Sequence, residues 1–163
     1  MPMQLRVLVF VALLSGMALG AEPVADFKAI LNESGVKGGL CIALGLDAVG
    51  AKALVSDSRL YVQLVAPDDK TALDWLRVLD AGKERSDLSV VSHSANPLPY
   101  ARDTANLIVI RGEGNCPPAT EVNRVLTPGG SVTIIGAPAA FAAEAGKLGL
   151  LKEDSAGALV LRK

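Results

Sequence analysis

Apolar residues follow two different spacings along this chain, and each spacing predicts a different kind of element. Short apolar runs between glycines or polar residues predict buried strands, and apolar residues three or four positions apart predict amphipathic helices. The predicted strands are Gly39–Leu44, Leu60–Val65, Leu88–Val91, Ala105–Ile110 and Ser131–Ile135. The predicted helices are Val24–Glu33, Asp47–Asp57, Pro67–Ala81, Pro117–Leu126 and Ala139–Leu148.

The regular alternation of these strands and helices predicts an α/β fold, with a doubly wound, mostly parallel sheet between two layers of helices. Pro128-Gly129-Gly130 predicts a tight turn before the fifth strand. Leu150-Leu151 and Ala158–Leu161 predict a closing hairpin. In the third helix, one face is expected to carry Ala72, Leu73, Leu76 and Leu79. A ligand of such a sheet binds beyond the carboxyl ends of its strands.

The composition of the chain indicates what kind of core it has and which partners are not expected. Aromatic residues make up only 4% of the chain, so its core must be aliphatic. The 16 cations and 17 acids are nearly balanced and the cations form no cluster. Nucleic-acid binding is therefore not expected, because neutralising phosphates requires clustered Lys and Arg.

The N-terminus has the pattern of a secretory signal peptide over residues 1–20. Arg6 precedes the apolar run Val7–Leu14, and the small residues of Ala18-Leu19-Gly20 precede Ala21. The apolar stretch, about 14 residues, is shorter than the ~20 needed to span a bilayer. We therefore expect export to the periplasm or cell envelope, no transmembrane span after cleavage, and one domain over residues 21–163. The alternative is an uncleaved N-terminal anchor.

The two cysteines, Cys41 and Cys116, leave a disulfide possible in an oxidising compartment. The predicted strands place Cys41 early in one strand and Cys116 beyond the far end of another, too far apart for a bridge. Unpaired thiols are thus the favoured interpretation. A metal site is not predicted, since the chain has no Cys-x-x-Cys and His93 is its only histidine.

Two stretches are more specific than a general α/β pattern. The first runs from Glu121 through Arg124-Val125-Leu126 to Pro128-Gly129-Gly130, and the second is Leu98-Pro99-Tyr100 before the strand at Ala105. Together they resemble the second half of the class I S-adenosylmethionine (SAM) dependent methyltransferases, which carry Glu-x-x-Arg-Val-Leu-x-Pro-Gly-Gly and a Leu-Pro-Phe loop. The resemblance implies the family's Rossmann-like topology with a C-terminal antiparallel hairpin. Glu121 and Arg124, one turn apart, are expected to form only a weak surface pair.

The family binds SAM at a glycine-rich loop after its first strand, with the pattern acid-x-Gly-x-Gly-x-Gly. Here Ala43 stands at the acid and Gly45 matches the first glycine. Asp47 and Val49 replace the other two, and their side chains are expected to crowd the loop.

The family's ribose-binding acid, at the end of the second strand, falls on about Ala66, and Asp68 and Asp69 follow. These acids are either displaced ribose ligands or, more simply, the cap and first turn of the next helix. The family's polar residue after strand three falls on Ser94, beside His93. The cofactor-binding candidates are therefore Gly45, Asp47, Asp68 and Ser94. Loss of two carboxylate contacts would weaken binding by about 3–6 kcal/mol, or roughly 10²- to 10⁴-fold.

These departures predict an exported methyltransferase-like domain with an eroded cofactor site, acting as a non-catalytic binding or scaffolding module. No catalytic residue is assigned; His93 is either a general base or an ordinary loop histidine. SAM is expected as a cofactor only if the site is functional. The resemblance also implies a partner, since such eroded domains precede PQQ-type β-propellers in some envelope proteins. Two alternatives stay open: an active SAM-dependent methyltransferase with a divergent loop, and a binding module for another nucleotide or small ligand.

Overall fold

The computed structural model describes residues 27–56, 58–80, 87–94, 96–153 and 158–163, so the predicted signal peptide lies outside it. The helices are α1 (Phe27–Ser34), α2 (Ala48–Ser56), α3 (Asp69–Asp80), α4 (Ala119–Val125) and α5 (Phe141–Lys147). The strands are β1 (Gly39–Leu44), β2 (Leu60–Ala66), β3 (Leu88–Ser92), β4 (Ala105–Arg111), β5 (Leu126–Ile135), β6 (Leu151–Glu153) and β7 (Leu159–Arg162). No helix of this described part is long and apolar enough to cross a membrane.

The seven strands form one sheet in the order β3-β2-β1-β4-β5-β7-β6. Strands β1 to β5 pair in parallel, and β7 runs antiparallel to both β5 and β6. The first strand, β1, lies inside the sheet. β2 and β3 extend the sheet on one side of β1, and β4 pairs with its other side. The predicted fold class, a doubly wound and mostly parallel sheet with a C-terminal antiparallel hairpin, is confirmed.

The core has two halves because side chains of a strand alternate between the faces of the sheet. Cys41 and Ala43 of β1 pack on one face with α1, α2 and Trp75 of α3. Ile42 and Leu44 pack on the other face with α4 and α5. All four side chains are at most 2% exposed, as expected for a central parallel strand.

On the α4–α5 face, no helix connects β3 to β4 within the described residues; residues 96–104 cross it as a loop. Glu121 and Arg124 hold this loop. Glu121 Oε1 accepts the Leu98 N–H at 2.8 Å, and Arg124 donates to the Tyr100 carbonyl at 2.7 Å and to the Leu98 carbonyl at 3.2 Å. Two bonds of 2.6 and 2.8 Å join the pair itself. The expectation of a weak surface pair was wrong, because the pair is half-buried and replaces a helix in fixing the loop.

The Arg124 guanidinium, with the Leu98 N–H, holds the pKa of the Glu121 carboxyl below its ordinary value. The same contact raises the pKa of Arg124. Both shifts favour the charged forms, so the loop anchor remains ionised across neutral pH.

The predicted turn at Pro128-Gly129-Gly130 lies inside a strand instead. β5 begins at Leu126, and its register with β4 shifts between Leu126 and Ser131. Gly129 has a φ of +78°, and its N–H and the Gly130 carbonyl bond to Lys163. The three residues therefore form an irregularity that is held by two backbone hydrogen bonds to Lys163, the residue after β7. Sequence alone could not show this, because the bonding partner comes from the end of the chain.

The apolar face of α3 was also predicted incorrectly. Leu73 and Leu76 are 55% and 37% exposed, whereas Ala72 is buried and Trp75 packs against the core. The helix is therefore rotated relative to the expectation, so that Trp75 faces inward.

Both cysteines are free thiols. Cys41 lies beside Leu107 in the sheet, whereas Cys116 lies beyond the end of β4, which keeps the two apart. Burial raises the pKa of Cys41 to about 12 and that of Cys116 to about 11.

Candidate ligand-binding cleft

A cleft opens beyond the carboxyl ends of β1, β2, β3 and β4, where a parallel sheet of this type binds ligands. Its first chamber has a volume of about 420 Å³, within the range of small-molecule sites. The residues that line the first chamber are Leu44, Gly45, Leu46, Asp47, Val65, Pro67, Trp75, His93, Ser94, Gly114 and Asn115.

The loop after β1 forms one wall. Gly45 has a φ of +71°, and a Cβ there would collide with the Arg111 carbonyl and with Asn115. Only glycine fits such a position, because L side chains disfavour this φ and the neighbouring backbone leaves no room. The matching glycine of the resemblance therefore has a packing role in this chain.

The two residues expected to crowd this loop behave differently. Asp47 Oδ1 accepts the Gly50 N–H at 2.7 Å and so caps α2, while the side chain also lines the chamber. Val49 points away and is 68% exposed. The prediction that Val49 would crowd the loop was wrong, since α2 begins at Ala48 and turns that side chain to the surface.

No carboxylate follows β2 into the chamber. Ala66, the last residue of β2, is fully buried, and its carbonyl accepts the His93 N–H. Asp68 bonds the Thr71 N–H at 2.8 Å and the Thr71 hydroxyl at 2.9 Å. These bonds, the backbone one first, lower the pKa of Asp68. Asp68 thus caps α3 and is not among the residues that line the chamber.

The end of β3 contributes His93 and Ser94. His93 Nδ1 lies 2.8 Å from the Ser94 carbonyl. A carbonyl only accepts, so Nδ1 is the donor and Nε2 of the neutral ring is an acceptor. The Ser94 hydroxyl donates to the Asn96 carbonyl at 3.2 Å.

The loop after β4 closes the chamber. Residues Glu113–Asn115 form one 3-10 turn, and Asn115 Nδ2 donates to the Arg111 carbonyl at 2.9 Å. The Asn115 N–H donates to the Gly112 carbonyl and the Cys116 N–H to the Glu113 carbonyl, which closes the same turn. Asn115 lines the chamber from the loop just after the fourth strand, where a sheet of this type places ligand-contacting residues.

A second chamber of about 640 Å³ lies beyond the carboxyl ends of β4 and β5. It shares Ser94 and Gly114 with the first, so the two form one continuous cleft. The residues that line the second chamber are Ser94, Asn96, Gly114, Cys116, Pro117, Pro118, Pro138, Ala140, Phe141 and Glu144.

Of the four candidates predicted from sequence, the structure brings Gly45, Asp47 and Ser94 together at the first chamber and leaves Asp68 outside it. Among the residues described, no group of three or more His, Cys, Asp or Glu side chains could hold a metal ion.

Comparison with known proteins gives a structural match only. No protein-family model matches the chain, and no curated protein sequence does either. The chain is similar to a candidate S-adenosyl-L-methionine-dependent methyltransferase from Methanococcus maripaludis, with a TM-score of 0.67, 18% identity, and coverage of 86% of this chain and 84% of that one.

Two further solved structures agree. A SAM-dependent methyltransferase from Aquifex aeolicus has a TM-score of 0.64 at 16% identity, covering 84% of this chain and 88% of that one. A candidate sarcosine dimethylglycine methyltransferase from Galdieria sulphuraria has a TM-score of 0.68 at 16% identity, covering 78% and 61%. Likeness at these identities shows the fold alone, and the chain therefore has the Rossmann-like fold of the class I SAM-dependent methyltransferases.

Proposed function

We propose that this chain is a non-catalytic binding module on a methyltransferase fold, with a cleft that holds a small ligand other than SAM. The observation that carries the proposal is the absence of a carboxylate from the first chamber at the end of β2. A buried alanine, Ala66, occupies the place where the fold family's ribose-binding acid is expected.

Neither nearby acid substitutes for that carboxylate. Asp68 is held at the N-terminus of α3 by Thr71 and lies outside the chamber. Asp47 lines the chamber, but one of its oxygens already accepts the Gly50 N–H. A methyl group cannot accept a hydrogen bond from a ribose hydroxyl, and each lost bond to a charged group costs about 1.5–3 kcal/mol.

The residues of the first chamber therefore do not fit SAM, and no methyl-transfer step follows from them. They do fit ligand binding, because the chamber is open, of ligand size and mostly apolar, with a few polar side chains in its lining. Trp75 contributes a flat aromatic surface, and His93, Ser94 and Asn115 contribute polar atoms.

An active SAM-dependent methyltransferase is the second candidate, and one observation favours it. The loop after β1 retains Gly45 in its left-handed conformation, and Val49 leaves the chamber open. A cofactor bound mainly through backbone groups of this loop would need no acid after β2.

Calorimetric titration of SAM and of its demethylated product into the purified protein separates the two candidates. The proposal predicts no saturable heat up to millimolar ligand. Saturation at micromolar concentration would overturn it and establish the chamber as a cofactor site.

We also propose that the domain acts outside the cytoplasm. The pattern around Arg6, Val7–Leu14 and Ala18–Gly20 supports export, and a chain without a SAM site does not depend on a cytoplasmic cofactor. N-terminal sequencing of protein from the envelope fraction is expected to begin at Ala21. Recovery only from the cytoplasm, with Met1 retained, would contradict export.

A β-propeller or another envelope protein is the partner that the resemblance favours. Cross-linking in the envelope fraction followed by mass spectrometry is expected to join this chain to such a protein. A chain that remains without cross-links to any envelope protein would contradict that association.

A further inference from the structure

Three polar side chains that line the first chamber each use one donor for a hydrogen bond inside the protein. His93 Nδ1 donates to the Ser94 carbonyl, the Ser94 hydroxyl to the Asn96 carbonyl, and Asn115 Nδ2 to the Arg111 carbonyl. The atoms of these three side chains left to accept from a ligand are Nε2 of a neutral His93 ring, the Ser94 oxygen and Asn115 Oδ1, while one N–H of Asn115 Nδ2 is left to donate.

The charged side chains that line the cleft are acidic. Asp47 lines the first chamber and Glu144 the second. Within the described residues, neither chamber is lined by a Lys or Arg side chain. Lys147, one turn after Glu144 on α5, lines an adjoining groove of about 240 Å³ that shares Pro118 and Glu144 with the second chamber, but it does not line either chamber.

The partial positive charges of the helix N-termini beside the cleft do not outweigh these carboxylates. A helix N-terminus corresponds to about +0.5 charge that acts only over the first turn. Asp47 caps α2, and Glu144 lies in the first turn of α5. The full negative charge of Asp47 therefore exceeds the partial positive charge at the N-terminus of α2, and that of Glu144 exceeds the one at the N-terminus of α5.

The walls around these groups are largely apolar and include two aromatic side chains, Phe141 and Trp75. Phe141, Pro117 and Pro138 line the second chamber, and Leu46, Val65 and Trp75 line the first. An indole face attracts a cation, and apolar walls favour a hydrocarbon body.

Resting on the proposed function, we infer that the cleft binds a small organic amine: a protonated ammonium group among the acceptors, with an apolar or aromatic body along the walls. Anionic ligands, including phosphorylated nucleotides, are disfavoured, because they would find acceptors and carboxylates but no cationic partner.

Trp75 makes this testable, since it is the only tryptophan of the chain and lines the first chamber. The probes are phenethylamine, 2-phenylethanol and 3-phenylpropionate, which share a phenyl body and differ in charge. Indole fluorescence is excited at the red edge of its band, where the phenyl group does not absorb. We expect phenethylamine to bind at least tenfold more tightly than 3-phenylpropionate, with the alcohol between them.

Two substitutions test the source of the preference. Asp47→Asn keeps a side chain that can cap α2 and removes the charge, and Glu144→Gln removes the charge from the first turn of α5. The preference for the amine is expected to fall several-fold in each variant and to shrink in high salt. The exposed Asp74→Asn on α3, outside both chambers, is the matched control and should leave it unchanged.

Equal or tighter binding of 3-phenylpropionate would overturn the inference, as would an amine preference that survives in the Asp47→Asn, Glu144→Gln double variant. Failure of all three probes to change the Trp75 signal would overturn it as well. None of these results affects the proposed function, which fails separately if SAM binds at micromolar concentration.

Discussion

The β4–β5 half of the sheet and its β1–β2 half differ in how closely they follow the methyltransferase pattern. At β4 and β5, the Glu121–Arg124 pair, the Leu98–Tyr100 loop and Pro128-Gly129-Gly130 match it and engage in packing or backbone hydrogen bonds. At β1 and β2, Ala43 and Ala66 stand where acids are expected, and both are fully buried.

The difference shows that the residues which build this fold are separable from those which would hold its cofactor. Glu121 and Arg124 each contact a loop more than 20 positions away in sequence, so their loss would disturb the fold. Ala43 and Ala66 are fully buried, so an acid at either position would need a hydrogen-bonding partner such as a ligand, whereas the alanines fill these places without one. Gly45 lies in the β1–β2 half of the sheet, but packing against the Arg111 carbonyl and Asn115 requires a glycine there, which explains why it remains.

The largest expected effect is on Gly45. Gly45→Ala adds a Cβ that collides with the Arg111 carbonyl at a φ of +71°. We expect it to lower the free energy of unfolding by ~3 kcal/mol or more, since strain and steric overlap add. Thermal unfolding followed by circular dichroism measures the loss, as a melting-temperature drop of roughly 6 °C or more.

Gly129→Ala, near the start of β5, is its control. Its φ of +78° is similar, but nothing lies within 4 Å of the added Cβ. Only the conformational cost, about 1–2 kcal/mol, is expected. Equal losses in the two variants would contradict the packing role of Gly45.

The next effect concerns the loop anchor. Glu121→Gln removes the carboxylate that accepts from Arg124 and Leu98. A loss of about 1.5–3 kcal/mol is expected from the charged hydrogen bonds, measured by urea unfolding. An unchanged midpoint would show that the pair does not stabilise the loop.

The same pair predicts a pH dependence. The folded-state pKa of Glu121 lies below its ordinary value of 4.5. Its stabilisation is therefore complete above pH 4.5 and is lost as pH falls through the lower, folded-state pKa. The stability difference between the native chain and Glu121→Gln should shrink in acid. A difference that grows below pH 4.5 would contradict this sign.

The smallest effect is on thiol reactivity. Cys41 is fully buried, and Cys116 is partly exposed at the second chamber. Mass spectrometry after maleimide treatment should find one labelled thiol, Cys116, in the folded chain and two after unfolding. Its labelling should be slow and should accelerate up to about pH 11, the pKa to which burial raises Cys116. Rapid native labelling of Cys41 would contradict the packing of β1.

The sequence predicted the fold well because strand and helix periodicities are local. The first strand was predicted with its observed bounds, and the end of β2 was misplaced by one residue. The long-range features were not predictable in this way. The irregularity at Gly129 depends on Lys163, and the burial of Glu121 depends on Leu98 and Tyr100.

The cleft was predicted only in part, because some of its features depend on local sequence and others on long-range packing. The strand ends located it, and Gly45, Asp47 and Ser94 line it. Trp75 faces the chamber because of the rotation of α3. Val49 points to the surface because α2 begins at Ala48. Tertiary packing sets both features, and the apolar spacing of α3 favoured a different face.

The most direct test of the central claim is a parallel SAM titration of the native chain, Ala66→Asp and Ala66→Asn by calorimetry. The asparagine variant matches the shape of aspartate without its charge, and circular dichroism of each variant verifies folding. We predict no saturable binding to the native chain and at least tenfold tighter binding to Ala66→Asp than to Ala66→Asn, because the restored carboxylate accepts from the ribose hydroxyls. Micromolar binding to the native chain, or a folded Ala66→Asp that binds no better than Ala66→Asn, would contradict the account.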